Sequence, residues 1–402
     1  MSRDWSRHFA RRAARMGASE IRELLKLLDQ PDIISFAGGI PDPALFPREP
    51  LAAAFARVLG DPARAAAALQ YSVSEGYRPL REWLANYMAG LGVACTPDNI
   101  LITNGSQQAL DFLGKLCIGP GDGVLVAAPT YLGALQAFNC YEPRYETLPG
   151  PESNRLHAGA GEGGGAPKFA YVMPEFQNPT GTTLDRRARA AVLDLAEALD
   201  LLVIEDAAYE KLRYDGEREP SLLQLAIERA GHIDEARVVY CGTFSKTIVP
   251  ALRIGWAVAA RPIIQKLVLI KQASDLHSAT LNQMVMHEVA AELIEPHALE
   301  IRAAYRARRD AMLRALARHM PPGVDWTRPE GGMFIWVTLP VHLDGARLLE
   351  RAVREARIAF VPGEAFFADR SRRNHLRLSF SLADPATIEE GIERLGRLLR
   401  AA

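Results

Sequence analysis

The sequence predicts an α/β protein built on a mostly parallel sheet, followed by a smaller α+β unit. From Ile100 onward, short apolar runs alternate with segments of helical periodicity, and βαβ units require that order. After about residue 296 the alternation is replaced by a long charged helix and a few strands. The 402 residues leave room for two or three structural units with a large buried core.

The predicted strands of the sheet are short apolar runs bounded by turn residues. They cover 100–103, 123–127, 168–173, 201–204, 237–241 and 254–258. Helices are predicted at 106–117 and at 185–199, the second with Thr183 or Asp185 as its N-cap. The C-terminal unit is predicted to contain a helix at 298–319, a strand at 332–339, a helix at 346–354, a strand at 375–380 and a closing helix. The Gly-rich segment 159–167 is predicted to be a surface loop without a function.

Charge and composition exclude several classes of partner. Lys and Arg number 47 against 48 Asp and Glu, so no overall basic field attracts nucleic acid or an anionic membrane. No apolar run approaches the ~20 residues that cross a bilayer, and the N-terminus lacks the apolar core of a secretory signal. The four cysteines are too far apart in sequence for a zinc site, so no metal is predicted. These features predict a cytoplasmic protein without nucleic-acid or membrane partners.

A lysine directly after a predicted strand is the first candidate for chemistry. Ser245 precedes Lys246, and Arg253 follows seven residues later. Burial and neighbouring positive charge lower the pKa of a lysine and make it a nucleophile, and the arginine and the hydroxyls can hold a phosphate beside it. A lone Ser-Lys pair more often lies in a solvated loop than in a catalytic site. The polar residues at the ends of the other predicted strands nevertheless favour a site for a phosphorylated aldehyde cofactor.

An acid at the end of another predicted strand is the second candidate. Asp206 follows an apolar run, and open α/β sheets bind ligands at the carboxyl ends of their strands. An acid there can keep a pyridine nitrogen protonated, because at ~4 Å and an effective dielectric near 20 the Coulomb energy is ~4 kcal/mol. Side chains alternate along a strand, so Glu205 is expected to face away from the site. Taken alone, Asp206 is equally typical of a helix cap or a turn.

Two more strand ends carry polar residues. Asn178 follows the strand at 168–173 and can donate to a ring oxygen, although Asn-Pro-Thr-Gly is also a common turn. Gly105 joins a strand to a helix, so that Ser106 and backbone amides can bind an anion at the helix N-terminus. An exposed helix dipole contributes only ~0.3 to 1 kcal/mol, so Ser106 and Arg253 must provide most of the affinity for a phosphate.

Together these residues resemble those of fold-type I pyridoxal-phosphate enzymes, and specifically of class I/II aminotransferases, over nearly the whole chain. The resemblance implies a large domain whose mostly parallel seven-stranded sheet is sandwiched by helices, plus a smaller α+β domain. It implies an N-terminal arm at 1–45 that packs with the small domain and the active site. The large cofactor-binding domain is then 46–295 and the small C-terminal domain 296–402.

The resemblance also implies a role for each candidate residue. Lys246 is the catalytic residue and bonds covalently to the aldehyde of pyridoxal 5'-phosphate, and Asp206 pairs with the pyridine nitrogen. Asn178 and Tyr209 bond the phenolic oxygen of the ring, and Tyr131 stacks on the ring. The residues that resemble phosphate contacts are Ser106, Gln107, Ser245 and Arg253.

Four further residues carry the implied substrate recognition and assembly. Arg377 resembles the arginine that binds the substrate α-carboxylate, because a planar guanidinium matches a carboxylate with two hydrogen bonds. Tyr71 resembles the tyrosine that reaches the phosphate of the neighbouring subunit, so a homodimer with shared active sites is implied. The stretches 18–25 and 35–41 resemble the 2-aminoadipate, kynurenine, branched-chain and aromatic aminotransferases, in which Arg22 would meet a distal carboxylate and Gly39 the substrate backbone. Read without the resemblance, Arg22 is an ordinary exposed arginine.

The functional hypothesis is an aminotransferase with ping-pong kinetics. It moves the amino group of an L-amino acid to the cofactor and then to a 2-oxo acid, by analogy 2-oxoglutarate, and Lys246 moves the proton in both halves. A carbon-sulfur β-lyase stays open as the alternative, because fold and lysine do not fix the reaction, although Arg22 and Arg377 favour transamination. A regulator with a fused DNA-binding domain is disfavoured because only about 30 residues precede the stretch 35–41, too few for a helix-turn-helix module, and the net charge is not basic. A nicotinamide oxidoreductase is disfavoured because no Gly-x-Gly-x-x-Gly follows a first strand.

Overall fold

The protein's structure is a computed structural model that describes residues 3–17, 32–149 and 166–401. The strands in those ranges are β1 Ile34–Ser35, β2 Ile100–Thr103, β3 Gly123–Val126, β4 Arg144–Thr147, β5 Phe169–Val172, β6 Leu202–Asp206, β7 Val238–Thr243, β8 Gly255–Val258, β9 Asp325–Trp326, β10 Phe334–Thr338, β11 Ile358–Ala359, β12 Val361–Pro362 and β13 His375–Ser379. The largest sheet has seven strands in the order β2-β8-β7-β6-β5-β3-β4. Its neighbours run parallel except at β8, which is antiparallel to β2 and β7. The predicted α/β fold with a mostly parallel sheet is therefore confirmed.

Helices cover both faces of this sheet because its strands are apolar on both sides. Along β5, Phe169 and Tyr171 pack into one buried cluster with the helix Ser106–Cys117, while Ala170 and Val172 pack into the other. Two-sided burial explains why the strands read as continuous apolar runs. The α-helices of the described residues are Arg48–Gly60, Pro62–Leu69, Arg78–Gly90, Ser106–Cys117, Leu132–Asn139, Arg186–Ala198, Leu222–Ala230, Arg261–Ser274, Thr280–His319, Gly345–Arg351 and Pro385–Arg400.

One helix is much longer than the sequence predicts. The expected start at residue 298 follows Pro296, whose missing N–H usually ends a helix. The structure instead has one helix, Thr280–His319, with Pro296 inside it. Tertiary contacts on both sides of the proline explain this: Ile294 and Ala298 are buried, and the two ring nitrogens of His297 lie 2.6 Å from backbone oxygens. Packing outweighs the local preference.

The C-terminal part forms a second sheet, and residues 34–36 pair with strands of this part. Strands β12, β13, β10 and β9 form a four-stranded antiparallel sheet in that order. Strand β1 pairs in parallel with β11, and the backbone N–H of Phe36 donates to the carbonyl of Ala359. The helix Thr280–His319 runs through the predicted domain boundary at 295/296, and the division into 1–45, 46–295 and 296–402 stays a prediction.

The parallel strands bring the candidate residues to one edge of the sheet. Strands β5, β6 and β7 are neighbours, and their carboxyl ends lead to Asn178, Asp206 and Lys246. Within the described ranges no helix is both long and apolar enough to cross a membrane, and no group of His, Cys, Asp and Glu side chains is placed to hold a metal ion. Arg22 and most of the Gly-rich segment 159–167 lie outside the described residues.

Candidate active site

A cavity of about 250 Å³ lies at the carboxyl ends of β5, β6 and β7. It collects most of the predicted site residues from segments that are far apart in sequence. Those that line it are Gly39, Ser106, Gln107, Tyr131, Asn178, Asp206, Tyr209, Ser245, Lys246, Arg253 and Arg377, together with Ile40, Met173, Ala208, Thr243, Pro250 and Phe334. The predicted residues that do not line it are Tyr71 and, outside the described residues, Arg22.

Lys246 is held in this cavity with a lowered pKa. Its Nζ donates to the carbonyl oxygen of Gly39 at 3.1 Å and lies 5.9 Å from the ring centre of Tyr209. Burial is the main cause that lowers the pKa of Lys246 to about 8, and the positive charges of Arg377 and Arg253 act in the same direction. A lysine in this state is partly neutral near pH 8 and can act as a nucleophile or a base.

Asp206 and Glu205 face opposite sides of β6, as the strand alternation predicts. Glu205 accepts hydrogen bonds from the backbone N–H groups of Leu222 and Leu223 at 2.8 and 2.9 Å and so caps a helix. Asp206 faces the cavity, where its Oδ2 accepts from the Tyr171 hydroxyl at 2.8 Å. Its Oδ1 is buried and has no partner among the described residues. Burial raises the pKa of Asp206 to about 6.

Arg377 enters the cavity from β13 and is buried among aromatic rings. Its Nη1 donates to Oδ1 of Asn178 at 2.9 Å and its Nη2 to the carbonyl of Ala37 at 2.7 Å. The guanidinium carbon lies 4.3 Å from the ring centre of Phe334 and 5.2 Å from that of Phe366. Burial lowers the pKa of Arg377 to about 10. Its Nε is buried and unpaired within the part of the chain that the structure describes, which leaves a donor for an anionic ligand.

The end of the cavity nearest β2 and β8 is built to receive an anion. Gly105 has a φ of 76° and leads into the helix that begins at Ser106, whose first backbone N–H groups are free of intrahelical partners. Arg253 has a φ of 56°, a strained backbone conformation for a residue with a side chain. Its Nη2 donates to the carbonyl of Asn104 at 3.2 Å, beside the same turn. A cation and a helix N-terminus therefore meet at one place.

Three further side chains predicted to contact the cofactor also line the cavity. Hydrogen bonds orient two of them, and the third is buried. Gln107 donates from Nε2 to the carbonyl of Gly133 at 2.7 Å. Ser245 accepts at Oγ from the hydroxyl of Thr243 at 2.9 Å. Tyr131 lines the cavity, and burial raises its pKa to about 12, so its hydroxyl stays protonated.

Among the residues that the sequence analysis missed, Tyr171 and Phe334 contact the predicted acid and arginine directly. Tyr171 pairs in register with Ile204, two residues before Asp206, so strand alternation could have placed it on the same face as the acid. Phe334 contacts the Arg377 guanidinium and packs edge-to-face on Tyr209. A Cβ on Gly39 would lie 2.7 Å from the Phe334 ring, so this aromatic residue explains why position 39 needs glycine. No local pattern in the sequence indicates that contact.

Tyr71 lies on the surface, and its ring contact within the described ranges is with His277, which does not line the cavity. Its side chain is 79% exposed and meets the ring of His277 edge-on, with ring centres 6.0 Å apart. The flanking residues Leu69 and Val73 are also exposed, at 71% and 55%. The predicted contact of Tyr71 with a neighbouring subunit therefore stays a prediction.

Comparison with known proteins gives the family. Residues 42–395 match the family model described as aminotransferase class I and II. The chain belongs to this family. This aminotransferase is 45% identical over 400 residues to a 2-aminoadipate transaminase of Thermus thermophilus, covering 98% of this chain and 97% of that protein.

Two solved structures resemble the aminotransferase over almost its whole length. One is the α-aminoadipate aminotransferase from Thermus thermophilus complexed with N-(5'-phosphopyridoxyl)-L-leucine, with a TM-score of 0.89 and 44% identity, covering 99% of this chain and 98% of that chain. The other is the kynurenine aminotransferase from Pyrococcus horikoshii in complex with PMP, with a TM-score of 0.91, 43% identity and the same coverage. The predicted fold-type I architecture, the aminotransferase activity and the cofactor pyridoxal 5'-phosphate are confirmed.

The cavity fits this cofactor. The buried, unpaired Oδ1 of Asp206 suits the N–H of a protonated pyridine ring. Lys246 suits an aldehyde, and the turn before Ser106 together with Arg253 suits a phosphate. Each of the three chemically distinct parts of the cofactor therefore has a matching group in the cavity.

Proposed function

We propose that this aminotransferase moves the amino group of a 2-aminoadipate, aromatic or branched-chain L-amino acid to a 2-oxo acid, with 2-oxoglutarate as the acceptor. The observation that carries the proposal is the convergence of Lys246, Asp206 and Arg377 on one cavity. The substrates in the names of the similar proteins support the donor range. Those proteins lend no support to the carbon-sulfur lyase alternative.

The proton transfers are assigned to Lys246. When bound, pyridoxal phosphate supplies an aldehyde that accepts the amino group and a ring that withdraws electrons from the substrate. Lys246, whose pKa is lowered to about 8, would take the proton from the substrate α-carbon and deliver a proton to the C4' carbon of the cofactor, on the far side of the amino nitrogen. Asp206 would hold a proton on the ring nitrogen, and Asn178 and Tyr209 would bond the phenolic oxygen. Both half-reactions use Lys246, so ping-pong kinetics are expected.

Arg377 is assigned to the α-carboxylate of the substrate. Its unpaired Nε and the neighbouring Nη2 can form a two-point contact, with Nη2 shared with the Ala37 carbonyl. Asn178 and the Phe334 ring fix the plane of the guanidinium. Gly39 leaves room beside that plane, which supports its assignment to the substrate backbone.

A donor screen tests the substrate range. Purified enzyme is incubated with 2-oxoglutarate and each L-amino acid, and the product oxo acids are followed. The proposal expects activity with 2-aminoadipate and with at least one aromatic and one branched-chain donor. Activity confined to other donors would contradict the proposed range without touching the aminotransferase assignment.

Arg22 remains the proposed contact for a distal carboxylate. A charge-assisted hydrogen bond contributes about 1.5 to 3 kcal/mol, so Arg22→Ala should lose about ten- to a hundredfold in kcat/KM for 2-aminoadipate and glutamate. The value for leucine should hardly change. An equal fall for acidic and neutral donors would show that Arg22 only orders the N-terminal arm, and no change would show that it is a surface residue.

We also propose a homodimer in which Tyr71 contacts the cofactor phosphate of the neighbouring subunit. The exposed apolar side chains of Leu69, Tyr71 and Val73 support an interface at this place. Sedimentation should give twice the chain mass, and Tyr71→Phe should weaken pyridoxal phosphate binding by about tenfold, the value of one hydrogen bond. A structure of the assembly with Tyr71 far from any phosphate would overturn the contact. The cytoplasmic location stays a prediction of the sequence.

A further inference from the structure

A partly buried ion pair near the phosphate end of the cavity has no role in the proposed function. Lys271 is completely buried near the end of the helix Arg261–Ser274. Its Nζ lies 3.0 and 2.9 Å from the two carboxylate oxygens of Asp275, one turn further on. Lys271 is fully buried and the Asp275 side chain is 25% exposed. Removing a lysine from water costs free energy that one carboxylate partner does not clearly repay, so orientation of neighbours is a better reason for the pair here.

The ion pair holds Asn104 and Gln108, which flank the turn at Gly105 and Ser106. Oδ2 of Asp275 also accepts from Nδ2 of Asn104 at 2.6 Å and from Nε2 of Gln108 at 2.8 Å. Oε1 of Gln108 accepts from Nζ of Lys271 and from the backbone N–H of Asn104, both at 2.9 Å. Asn104 is therefore fixed through its backbone and through its side chain. Lys271, Asp275, Asn104 and Gln108 are called the brace below.

Asn104 transmits this restraint to the two groups assigned to the phosphate. Its carbonyl accepts from Nη2 of Arg253, and the next residue but one is Ser106. The turn between them is closely packed: a Cβ on Gly105 would lie 2.5 Å from Nη2 of Arg253, and a Cβ on Gly255 would lie 2.6 Å from the backbone nitrogen of Ser106. A shift of Asn104 must move the helix N-terminus and displace the arginine.

The segment after Asp275 also supports the loop that carries Tyr71. The carbonyl of Leu276 accepts from the Ser74 hydroxyl at 2.5 Å, and the ring of His277 meets that of Tyr71 edge-on. Leu276 has a φ of 65°, so the chain reverses sharply here to make these contacts. The brace is thus continuous with both loops assigned to phosphate binding.

We propose that Lys271 and Asp275 are positioning residues for the cofactor phosphate: they orient Asn104 and, through it, the N-terminus at Ser106 and the guanidinium of Arg253. This inference rests on the proposed assignment of Ser106 and Arg253 to the phosphate. It predicts an effect on phosphate binding by two side chains that do not line the cavity.

The test compares two ligands that differ only in the phosphate. Cofactor-free wild-type protein, Asp275→Asn and Lys271→Met are titrated with pyridoxal phosphate and with pyridoxal, and Kd is measured by absorbance and fluorescence. Both variants should raise the Kd of pyridoxal phosphate by about 10- to 100-fold, by analogy with the loss of residues that orient metal ligands. The Kd of pyridoxal should stay unchanged. An unchanged ratio of the two Kd values would overturn the proposal.

A matched control separates positioning from general stability. Asp215→Asn breaks ion pairs of a partly buried aspartate with Arg306 and Arg309, away from the cavity. It should lower the melting temperature and leave both Kd values unchanged. If Asp275→Asn does not fold, Gln108→Met cuts the link between Lys271 and the backbone of Asn104 and should give the same selective loss; no change in its ratio would overturn the proposal.

Two further variants distinguish failure of this inference from failure of the phosphate site. Arg253→Ala and Ser106→Ala should each weaken pyridoxal phosphate binding and spare pyridoxal. If neither changes the ratio, the phosphate assignment is wrong, and the positioning role falls with it. If both change the ratio while Asp275→Asn and Lys271→Met do not, only the positioning role is wrong.

Discussion

Two clusters of charged side chains lie beside the seven-stranded sheet. They differ in whether the buried nitrogen and oxygen atoms of these side chains have hydrogen-bond partners. In the first, the carboxylate of Glu175 bonds Arg189 through one oxygen at 2.6 Å and Arg213 through the other at 2.7 Å. Arg189 also donates to the carbonyls of Leu184 and Pro220. This cluster, called the closed cluster below, has a protein partner for both carboxylate oxygens.

The second cluster, in the cavity, contains Lys246, Asp206 and Arg377 and is called the open cluster. Oδ1 of Asp206 and Nε of Arg377 are buried without a partner anywhere in residues 3–17, 32–149 and 166–401. An unpaired buried polar atom costs about 1 to 3 kcal/mol, so a fold keeps one where a ligand will pair it. The comparison teaches that buried charge alone does not mark a functional site, whereas buried charge left unpaired does.

The largest effect is expected at the lysine of the open cluster. Lys246→Ala should lower the rate of transamination by about 10⁴-fold, because both proton transfers lose their base. The variant should still bind pyridoxal phosphate without a covalent bond. In the closed cluster, Arg189→Met should lower the melting temperature and leave kcat of the folded protein unchanged. Near-normal turnover by Lys246→Ala would contradict the claim that the open cluster is catalytic and the closed cluster structural.

A smaller effect on rate is expected at Asp206, the acid of the open cluster. The matched change at Glu175 in the closed cluster should affect stability and not rate. Asp206→Asn removes the ~4 kcal/mol that favours the protonated ring, which at 1.4 kcal/mol per tenfold gives a loss in kcat of about a thousandfold. Glu175→Gln should leave kcat unchanged but destabilise the fold by about 3 to 5 kcal/mol, since the buried Arg189 loses its carboxylate partner, whereas Arg213 keeps Glu330. Steady-state kinetics and thermal unfolding of both variants check this pair.

The pKa of Asp206 predicts the sign of its stability effect. With a pKa of about 6 against 3.8 in the unfolded chain, the folded cofactor-free protein holds the proton more firmly. Stability therefore falls as the pH rises from about 4 to 6, and at neutral pH the ionised carboxylate costs about 3 kcal/mol. Asp206→Asn should be more stable than wild type at pH 7.5, and the difference should vanish below about pH 4. A destabilised Asp206→Asn at neutral pH would contradict the account.

Replacing an arginine by lysine in each cluster, at Arg377 and at Arg213, compares the two clusters again. Arg377→Lys keeps the charge but loses the planar two-point contact, so kcat/KM for any L-amino donor should fall by about ten- to a hundredfold. Arg213→Lys is the matched change in the closed cluster and should leave kcat/KM unaltered. Equal kinetics for Arg377→Lys and wild type would remove the carboxylate assignment.

The smallest effect concerns the lysine pKa itself. In the cofactor-free protein, Lys246 should react with an amine-directed reagent with a midpoint near pH 8, whereas an ordinary lysine titrates near 10.5. Arg377→Gln should move this midpoint upward, because it removes a positive charge that lowers the pKa of Lys246. The pH dependence of labelling at Lys246, followed by peptide mass, measures both values. A wild-type midpoint near 10.5 would contradict the burial of this side chain.

Much of the sheet could be predicted because its strands are buried on both faces. Strand β4 was missed, since Arg144–Thr147 lies at the sheet edge and its polar, partly exposed residues give no apolar run. The helix Thr280–His319 was predicted short, because Pro296 is a local signal and the burial that overrides it is not local.

In the site, too, local features could be predicted from the sequence and contacts between distant segments could not. Asp206 and Lys246 were accessible to prediction because strand ends and alternation are local properties. The Phe334 contact with Gly39 and the left-handed backbone of Arg253 were not, because they arise from packing between segments far apart in the chain.

The central claim is that the open cluster is the cofactor site and that Lys246 is its attachment point. The most direct measurement is borohydride reduction of the yellow holoenzyme, followed by proteolysis and mass spectrometry of the labelled peptide. The account predicts that the visible absorption band disappears and that the phosphopyridoxyl group is found on Lys246. A label on any other lysine, or none after reduction, would contradict it.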